Sequence, residues 1–352
     1  QPQLQSITTG TGIQTTLNYK PLTDSSVYTK GTKGIYPNID IQNARQVVSS
    51  VVTDNAIGSQ NTTTYIYGNA KANLKGRGNL GFGWIQTKDE QSHKLTRTEY
   101  KQDYPYVGQI ASVKEYINQS EYDTNKQLLN QQTNTYGHTT QQYNNKKIHS
   151  VYLSQSIDKT YDFNTTDLIK TTTTTNSNID DYGNIGTVVV ATEGGGKTFT
   201  KTTSSTYDND SANWHLGRLK TAAVIHTSDE TYGSPITRTS SFIYNSNGLL
   251  QSETIEPNTD KSLTTTYEYD NFGNKTKTTT TSTATGSTAI QPRSTSVQYS
   301  SDGKFPIKTT NALGHSESKT FYPETGNVKT LTGPNGLITT WHYDVLGRKI
   351  KE

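Results

Sequence analysis

The feature that most constrains the fold of this chain is a six-residue motif, Tyr-Asp-x-x-Gly-Asn/Arg, which occurs twice near its end. It spans Tyr269-Asp270-Asn271-Phe272-Gly273-Asn274 and Tyr343-Asp344-Val345-Leu346-Gly347-Arg348, and looser copies run back to about Tyr161. A strand-turn unit that recurs every few tens of residues cannot bury its own apolar face, so its copies must stack into one continuous sheet. The repeat therefore predicts a structural wall rather than a catalyst.

The residues before each turn follow the pattern of a β-strand. Tyr267 and Tyr269 alternate with Glu268, which places the two rings on one face of a strand and the carboxylate on the other. The segment Trp341-His342-Tyr343 has the same alternation. Both segments therefore predict strands that run directly into the motif.

The second half of the motif has the chemistry of a hairpin turn. Asp270 and Asp344 can accept hydrogen bonds from backbone amides two residues further on, and Gly273 and Gly347 can adopt a positive φ. Replacing either glycine by valine is expected to destabilise the chain locally if φ is positive there. The candidate structural residues of the repeat are Tyr269, Asp270, Gly273, Tyr343, Asp344, Gly347 and Arg348.

Composition favours an all-β chain over a disordered one. The hydrophobic content is only 29%, but the net charge is +3 and there are 23 tyrosines. Tyrosine and threonine suit half-buried pleated surfaces, so the threonine runs at residues 171–175 and 278–281 are interpreted as strands rather than linkers. No segment has a sustained helical period. The best helix candidate, residues 113–129, is interrupted by Tyr, Asn and Thr, so very little helix is expected.

Several classes of protein are disfavoured by what the chain lacks. It has no cysteine, which excludes disulfides and thiolate metal sites and is compatible with a secreted bacterial protein. No basic stripe points to nucleic acid, and no stretch approaches the ~20 apolar residues of a membrane span. The chain also contains no methionine, which suggests a piece of a longer protein.

Motifs that imitate ligand sites lack the context that their chemistry requires. Residues 76–81 satisfy GxGxxG, but no helix is predicted after them, and a glycine turn is the simpler interpretation. Residues 194–198 imitate a phosphate loop but lead into a threonine-rich strand. Residues 208–210 lack the glycine and closing glutamate of a calcium loop, and the histidines have no ligand spacing. No cofactor, metal or catalytic residue is therefore predicted.

Longer strings resemble a known family. The repeat resembles the YD or RHS repeats of bacterial toxin shells and of teneurins. Other segments are similar to the B components of Tc insecticidal toxin complexes and to SpvB-like and RHS toxin proteins, over about residues 45–352. These segments are residues 76–82, 96–100, 102–108, 213–219, 311–315 and 332–337. A shift in composition near residue 125 divides a β-rich pre-repeat region, 1–125, from a repeat region, 126–352.

The resemblance implies a curved, spiralling antiparallel sheet of stacked hairpins, here a partial open shell. In these families the shell encloses a C-terminal toxic polypeptide, so the implied partners are that cargo and other toxin-complex subunits. The chain departs from the family in having no Asp-Pro dipeptide, which the autoproteolytic end of the repeat region requires. A secreted or cell-surface location is expected.

Two other functions stay open at this stage. Tyrosines on one sheet face would suit a cell-surface adhesin or glycan-binding module, although cross-strand packing explains them equally. A hydrolase within residues 76–108 is the third hypothesis, and it lacks any catalytic group in its required context. Unpaired sheet edges would in addition favour edge-to-edge association of copies at high concentration, which light scattering would detect.

Overall fold

The structure of the chain is a computed structural model that describes residues 3–124, 127–229, 235–282 and 291–352. These residues form β-strands connected by short turns and contain one short helix, α1, Gln119–Thr124. The prediction of an all-β antiparallel fold built from stacked hairpins is confirmed.

The strands are numbered in chain order. The first fifteen are β1 Ser6–Thr8, β2 Gln14–Pro21, β3 Tyr28–Thr29, β4 Asn38–Asp40, β5 Gln46–Asp54, β6 Gln60–Gly68, β7 Lys71–Asn73, β8 Gly78–Gly81, β9 Trp84–Asp89, β10 Leu95–Tyr100, β11 Ile110–Tyr116, β12 Leu128–Tyr143, β13 Lys146–Tyr161, β14 Leu168–Ile179 and β15 Ile185–Gly194. The others are β16 Lys197–Asp210, β17 His215–Ser228, β18 Ile236–Tyr244, β19 Leu250–Ile255, β20 Leu263–Tyr269, β21 Lys275–Ser282, β22 Arg293–Tyr299, β23 Pro306–Thr310, β24 Ser316–Phe321, β25 Val328–Thr332, β26 Ile338–Thr340, β27 His342–Tyr343 and β28 Lys349–Lys351.

The chain divides into two compact units. The first comprises residues 1–202 and 226–235, and the second comprises residues 203–225 and 236–352. This division follows contacts between residues in the structure. The boundary near residue 125 instead separates two types of sequence composition, and it stays a prediction.

In the first unit an antiparallel ladder runs in the order β1, β2, β5, β6, β9, β10, β11, β12, β13, β14 and β15. The strands β4, β7 and β8 form a separate small sheet. The hydrophobic core is small and lies near the start of this unit. It consists of Leu22, Val27, Tyr28, Tyr67 and Ala70, against which Phe82, Ile85 and other partly buried side chains pack. Outside this cluster few apolar side chains are fully buried, among them Leu95 and Tyr116, so the sheet depends largely on ladder hydrogen bonds.

In the second unit the strands β18 to β26 pair with their chain neighbours, so that this part is a meander of successive hairpins. The short strands β27 and β28 form a hairpin of their own. In a meander, every second turn lies at the same end of the ladder. The turns that follow β18, β20, β22 and β24 therefore share one edge.

The threonine runs are strands, and the described residues contain very little helix, as the sequence predicts. Residues 171–175 pair with both neighbours of β14, and residues 278–281 lie within β21. Of the candidate helix 113–129, only α1 is helical. Val113 and Glu115 are strand residues that pair with Thr98 and Thr96 in β10. A β-branched, alternating segment beside an available strand gains a whole ladder of hydrogen bonds, which outweighs its weak helical propensity.

Candidate functional site: a column of stacked turns

The turn after β20 has the hydrogen bonds that the motif predicts. Asp270 Oδ1 accepts hydrogen bonds from the backbone amides of Phe272 and Asn274, each at 2.9 Å. The amide of Gly273 donates to the carbonyl of Asp270 at 3.1 Å, and Gly273 has a φ of +84°. The second carboxylate oxygen accepts from Asn274 Nδ2 at 3.1 Å, so one side chain closes the whole turn.

The second copy of the motif forms the same turn between β27 and β28. Asp344 Oδ1 accepts from the amides of Leu346 at 3.0 Å and Arg348 at 2.9 Å, and Gly347 has a φ of +78°. Arg348 replaces the asparagine of the first copy, and its Nε donates to Asp344 Oδ2 at 2.7 Å. Asparagine and arginine at the sixth position of the motif therefore both supply an N–H donor to the second carboxylate oxygen of the aspartate.

Three further turns share this geometry although they lack the Tyr-Asp pair. They begin at Asp180, Asn245 and Asn311, and in each the side-chain oxygen accepts from the amides two and four residues further on. The fourth residue of each is a glycine with positive φ. The spacing Asp/Asn-x-x-Gly would have found all three, because an asparagine oxygen can accept the same two hydrogen bonds as a carboxylate.

A β-bulge lies immediately before both turns of the Tyr-Asp motif and positions its tyrosine. The pairing register shifts between Glu268 and Tyr269, and again between His342 and Tyr343. Equivalent shifts occur before Tyr244, Tyr299 and Phe321. A bulge bends its strand and redirects a side chain. Tyr269 Oη consequently donates to the carbonyl of Leu250 at 2.7 Å, and Tyr244 Oη donates to that of Leu219 at 3.0 Å.

Successive turns of the second unit contact one another through their glycines. A Cβ added to Gly303 would lie 2.5 Å from Cγ of Phe272, so the phenyl ring covers the space that the missing side chain leaves. Asn274 Nδ2 also donates to the carbonyl of Gly303, at 2.7 Å. The residues on either side of Gly273 thus contact the glycine of the next turn along this edge.

The same relation recurs along the edge of the meander. Pairs in which one turn contacts the glycine of the following turn are His215 with Gly248, Leu249 with Gly273, Phe272 with Gly303, Phe305 with Gly326 and Asn327 with Gly347. The last pair includes a hydrogen bond from Asn327 Nδ2 to the carbonyl of Gly347, at 3.4 Å. We call this series the turn column. At Gly248 and Gly303 glycine is needed both for its positive φ and for close approach, because an added Cβ would lie 3.0 Å and 2.5 Å from the neighbouring side chain.

Aromatic side chains support the column near its C-terminal end. Phe305 and Phe321 are stacked with their ring centroids 4.8 Å apart, and Tyr322 meets Tyr343 edge to face at 5.9 Å. Such pairs stabilise a structure beyond the apolar area that they bury. In a sheet with little apolar core, these contacts link one hairpin to the next.

The turn aspartates are stabilised in their charged form. Hydrogen bonds from the amide and then the side chain of Arg348 hold the pKa of Asp344 below its usual value. Partial desolvation raises the pKa of Asp270, but the hydrogen bonds from Asn274, Phe272 and Gly273 outweigh it and lower the pKa overall. A carboxylate that accepts several backbone hydrogen bonds favours ionisation. These groups are thus poor proton donors and acceptors near neutral pH.

Replacing Asp344 by asparagine should flatten the acid dependence of stability without breaking the turn. Because the pKa is lower in the folded state, the carboxylate contributes stability above about pH 4, and this contribution is lost as the pH falls through the folded pKa. Asparagine keeps the two amide hydrogen bonds, as at Asn245 and Asn311, whereas alanine loses them at every pH. The midpoints of urea unfolding between pH 3 and 7 would be compared for the wild type, D344N and D344A. Equal midpoints for D344N and D344A would contradict this role.

The other motifs singled out in the sequence lie in turns. Residues 76–81 lie in and beside the hairpin between β7 and β8 and are followed by strand β9. Residues 194–198 span the tight turn between β15 and β16, of which only 195 and 196 lie outside the two strands. Asp210 Oδ1 accepts from the amides of Ala212 and Asn213, each at 3.1 Å, at the end of β16. Within the described ranges, no group of three metal-binding side chains converges, and no helix is long and apolar enough to span a membrane.

Comparison with protein families matches both ends of the chain. Residues 2–108 match the family described as the insecticide toxin TcdB middle/N-terminal region, and residues 322–352 match the RHS repeat. The resemblance to RHS-repeat proteins and to the B component of Tc toxin complexes is confirmed. The chain matches none of the curated proteins.

Solved structures with the same fold include three that contain TcdB2 and TccC3. The crystal structures of TcdB2-TccC3 and of TcdB2-TccC3-Cdc42 match 96% of the chain with TM-scores of 0.73 and 0.74, at 12% identity. That of TcdB2-TccC3-TEV matches 98% with a TM-score of 0.70, also at 12% identity. In each case the match covers 24% of the solved chain, so this chain spans about a quarter of their length.

Proposed function

We propose that this chain is a non-catalytic stretch of wall in a secreted bacterial toxin shell of the RHS and Tc type. The wall separates a C-terminal toxic polypeptide from its surroundings until delivery. Its partners are that polypeptide and other subunits of the toxin complex, and neither nucleic acid nor a cofactor takes part. The whole protein that carries this segment performs the delivery.

The turn column is the observation that carries the proposal. The turns at Asn245, Asp270 and Asp344 use a carboxylate or amide side chain to bind their own backbone, and the glycines of the column lie against the preceding turn. An arrangement of this kind can be extended by adding hairpins, because every hairpin presents the surface that the next one requires. It provides rigidity along an edge of the sheet, which is the property that a wall needs.

The same hydrogen bonds occupy the carboxylates and hydroxyls of the column that could otherwise take part in catalysis or bind a sugar. The carboxylates of Asp270 and Asp344 are occupied by amides of their own turns. The hydroxyls of Tyr244 and Tyr269 donate to backbone carbonyls. A glycan site requires exposed rings with free polar groups beside them. The paired hydroxyls of these tyrosines therefore favour a structural role over a glycan-binding adhesin.

A test of encapsulation uses the complete gene product that contains this segment. We expect its C-terminal polypeptide to resist protease in the wild type and to become sensitive in the variant Gly303→Val, which disrupts the column. Gly336→Val serves as the matched control, since a Cβ at that glycine meets no atom within 4 Å. A C-terminal polypeptide that is digested equally fast in the wild type and in unfolded protein would refute the proposal.

Edge-to-edge association remains part of the proposal for the isolated chain. A short terminal strand such as β28 presents backbone groups that a second copy can pair with. Light scattering at increasing concentration should detect oligomers, and a monomer at every concentration would count against it.

A further inference from the structure

A cavity opens beside the small hydrophobic core of the first compact unit. Its volume is about 650 Å³, within the range of small-molecule sites. The walls are apolar and include Leu22, Val47, Tyr67, Ala70 and Phe82. Leu22 and Ala70 are almost fully buried, and the rings of Tyr67 and Phe82 lie 4.8 Å apart. Core residues that face a void lose packing contacts on that side, so an apolar occupant would stabilise this region.

The cavity is lined by four residues with amide or guanidinium side chains, Asn43, Arg45, Gln46 and Asn79, all of which carry N–H donors. Asn43 Oδ1 accepts from the amide of Arg45 at 3.1 Å, and Asn79 Oδ1 accepts from the amide of Gly81 at 2.8 Å. Both asparagines therefore have their oxygens engaged, which leaves the NH₂ groups for a ligand. Arg45 is exposed, and among the described residues its guanidinium has no hydrogen bond or ion pair. No carboxylate lines the cavity, so the polar side carries one positive charge and suits an anion.

The backbone of the walls is already paired, which excludes an extended peptide as the favoured occupant. Val47 and Val48 pair with β2, and the carbonyl of Val48 also accepts from Tyr67 Oη at 2.9 Å. Ala72 lies in β7, the central strand of its sheet. A bound peptide would bury amides and carbonyls with few partners, at a cost that an alkyl chain does not incur.

We propose that this cavity binds a medium-chain carboxylate, with the alkyl chain against Tyr67 and Phe82 and the carboxylate at Arg45, Asn43 and Asn79. The guanidinium suits this head group because it forms paired, charge-assisted hydrogen bonds with carboxylates. The inference is independent of the proposed wall function, since it uses residues outside the turn column.

Isothermal titration with decanoate, at concentrations below its micelle threshold, tests the proposal. We expect saturable binding of one decanoate per chain, with clearly weaker binding of decanol and of decyltrimethylammonium. Arg45→Gln should weaken decanoate binding about tenfold or more, because a hydrogen bond to a charged group is lost. Arg293→Gln is the matched control, as Arg293 is an exposed arginine of the second unit, and it should bind like the wild type.

Each alternative outcome of the titration overturns the proposal. Absence of saturable decanoate binding would show that the cavity does not take this ligand. Equal affinity for decanol would indicate a purely apolar site with no anion preference. Equal loss in Arg45→Gln and Arg293→Gln would indicate general charge attraction. Circular dichroism of both variants would verify folding, which exposed arginines are not expected to affect.

Discussion

Replacing Gly68 by valine should lower the stability of the first compact unit by about 3 kcal/mol or more. Gly68 is the buried last residue of β6. A Cβ at this position would lie 2.1 Å from Cε2 and 2.2 Å from Cζ2 of Trp84. These separations are far below van der Waals contact, so either the indole or the strand would have to move. Overpacking of this kind costs about 3 kcal/mol or more.

The indole cannot move away easily, because it is held from another direction. The guanidinium carbon of Arg97 lies 3.3 Å from the ring centroid of Trp84, and Tyr122 of α1 lies 5.8 Å from the same guanidinium. Displacing Trp84 would therefore break a cation–π contact and disturb the attachment of α1. The strands are constrained as well, since Gly68 and Trp84 pair directly in the ladder.

Thermal unfolding followed by circular dichroism measures the effect, with Gly10→Val as the control. A Cβ on Gly10 meets no atom within 4 Å, and its φ is not positive, so we expect a change within about 0.5 kcal/mol. Trp84→Ala should be less harmful in the Gly68→Val background than in the wild type, because it removes the colliding ring. A Gly68→Val protein that melts within a few degrees of the wild type would contradict the packing argument.

The turns were predictable from the sequence because their geometry is determined locally. Asp270 binds amides within its own turn, and Gly273 adopts a φ that few other residues tolerate. The Tyr-Asp motif does not extend to the turns at Asn245 and Asn311, although their side chains accept the same hydrogen bonds. Its physical requirement is a short side chain with an acceptor oxygen, which asparagine meets as well as aspartate.

The turn column and the cavity were beyond sequence reasoning because they depend on contacts between distant residues. Nothing in the segment around Phe272 indicates that its ring will cover Gly303 in another hairpin. The cavity likewise combines side chains from β5, β6 and the loops around them. The missed strand at Val113 has the same origin, since its pairing with Thr98 outweighed local propensity. Where partners are far apart in the sequence, the pattern of one segment does not identify them.

Replacing Gly303 by valine is expected to have the second-largest effect, because it combines two costs. The φ of Gly303 is +72°, and a left-handed conformation costs a residue with a Cβ about 1–2 kcal/mol. The added Cβ would also lie 2.5 Å from Cγ and 3.0 Å from Cβ of Phe272. The exposed ring of Phe272 can rotate about its Cα–Cβ bond into water, which moves Cγ away from the new side chain. This rotation does not move Cβ of Phe272, so that contact remains. We therefore expect a total loss of about 3 kcal/mol, measurable by urea unfolding.

A double-mutant cycle with Phe272→Ala separates the two costs. In a background without the ring, Gly303→Val should retain only the backbone strain and thus resemble Gly336→Val, whose φ is +79° with no neighbour within 4 Å. The difference between the two backgrounds then measures the close approach of successive turns. A cycle in which Gly303→Val costs the same with and without Phe272 would show that glycine is needed there for its φ alone, and the contact between those turns would then contribute no stability. A large coupling free energy between the two substitutions, by contrast, would establish that the absence of a side chain at Gly303 lets Phe272 pack there and hold the two turns together.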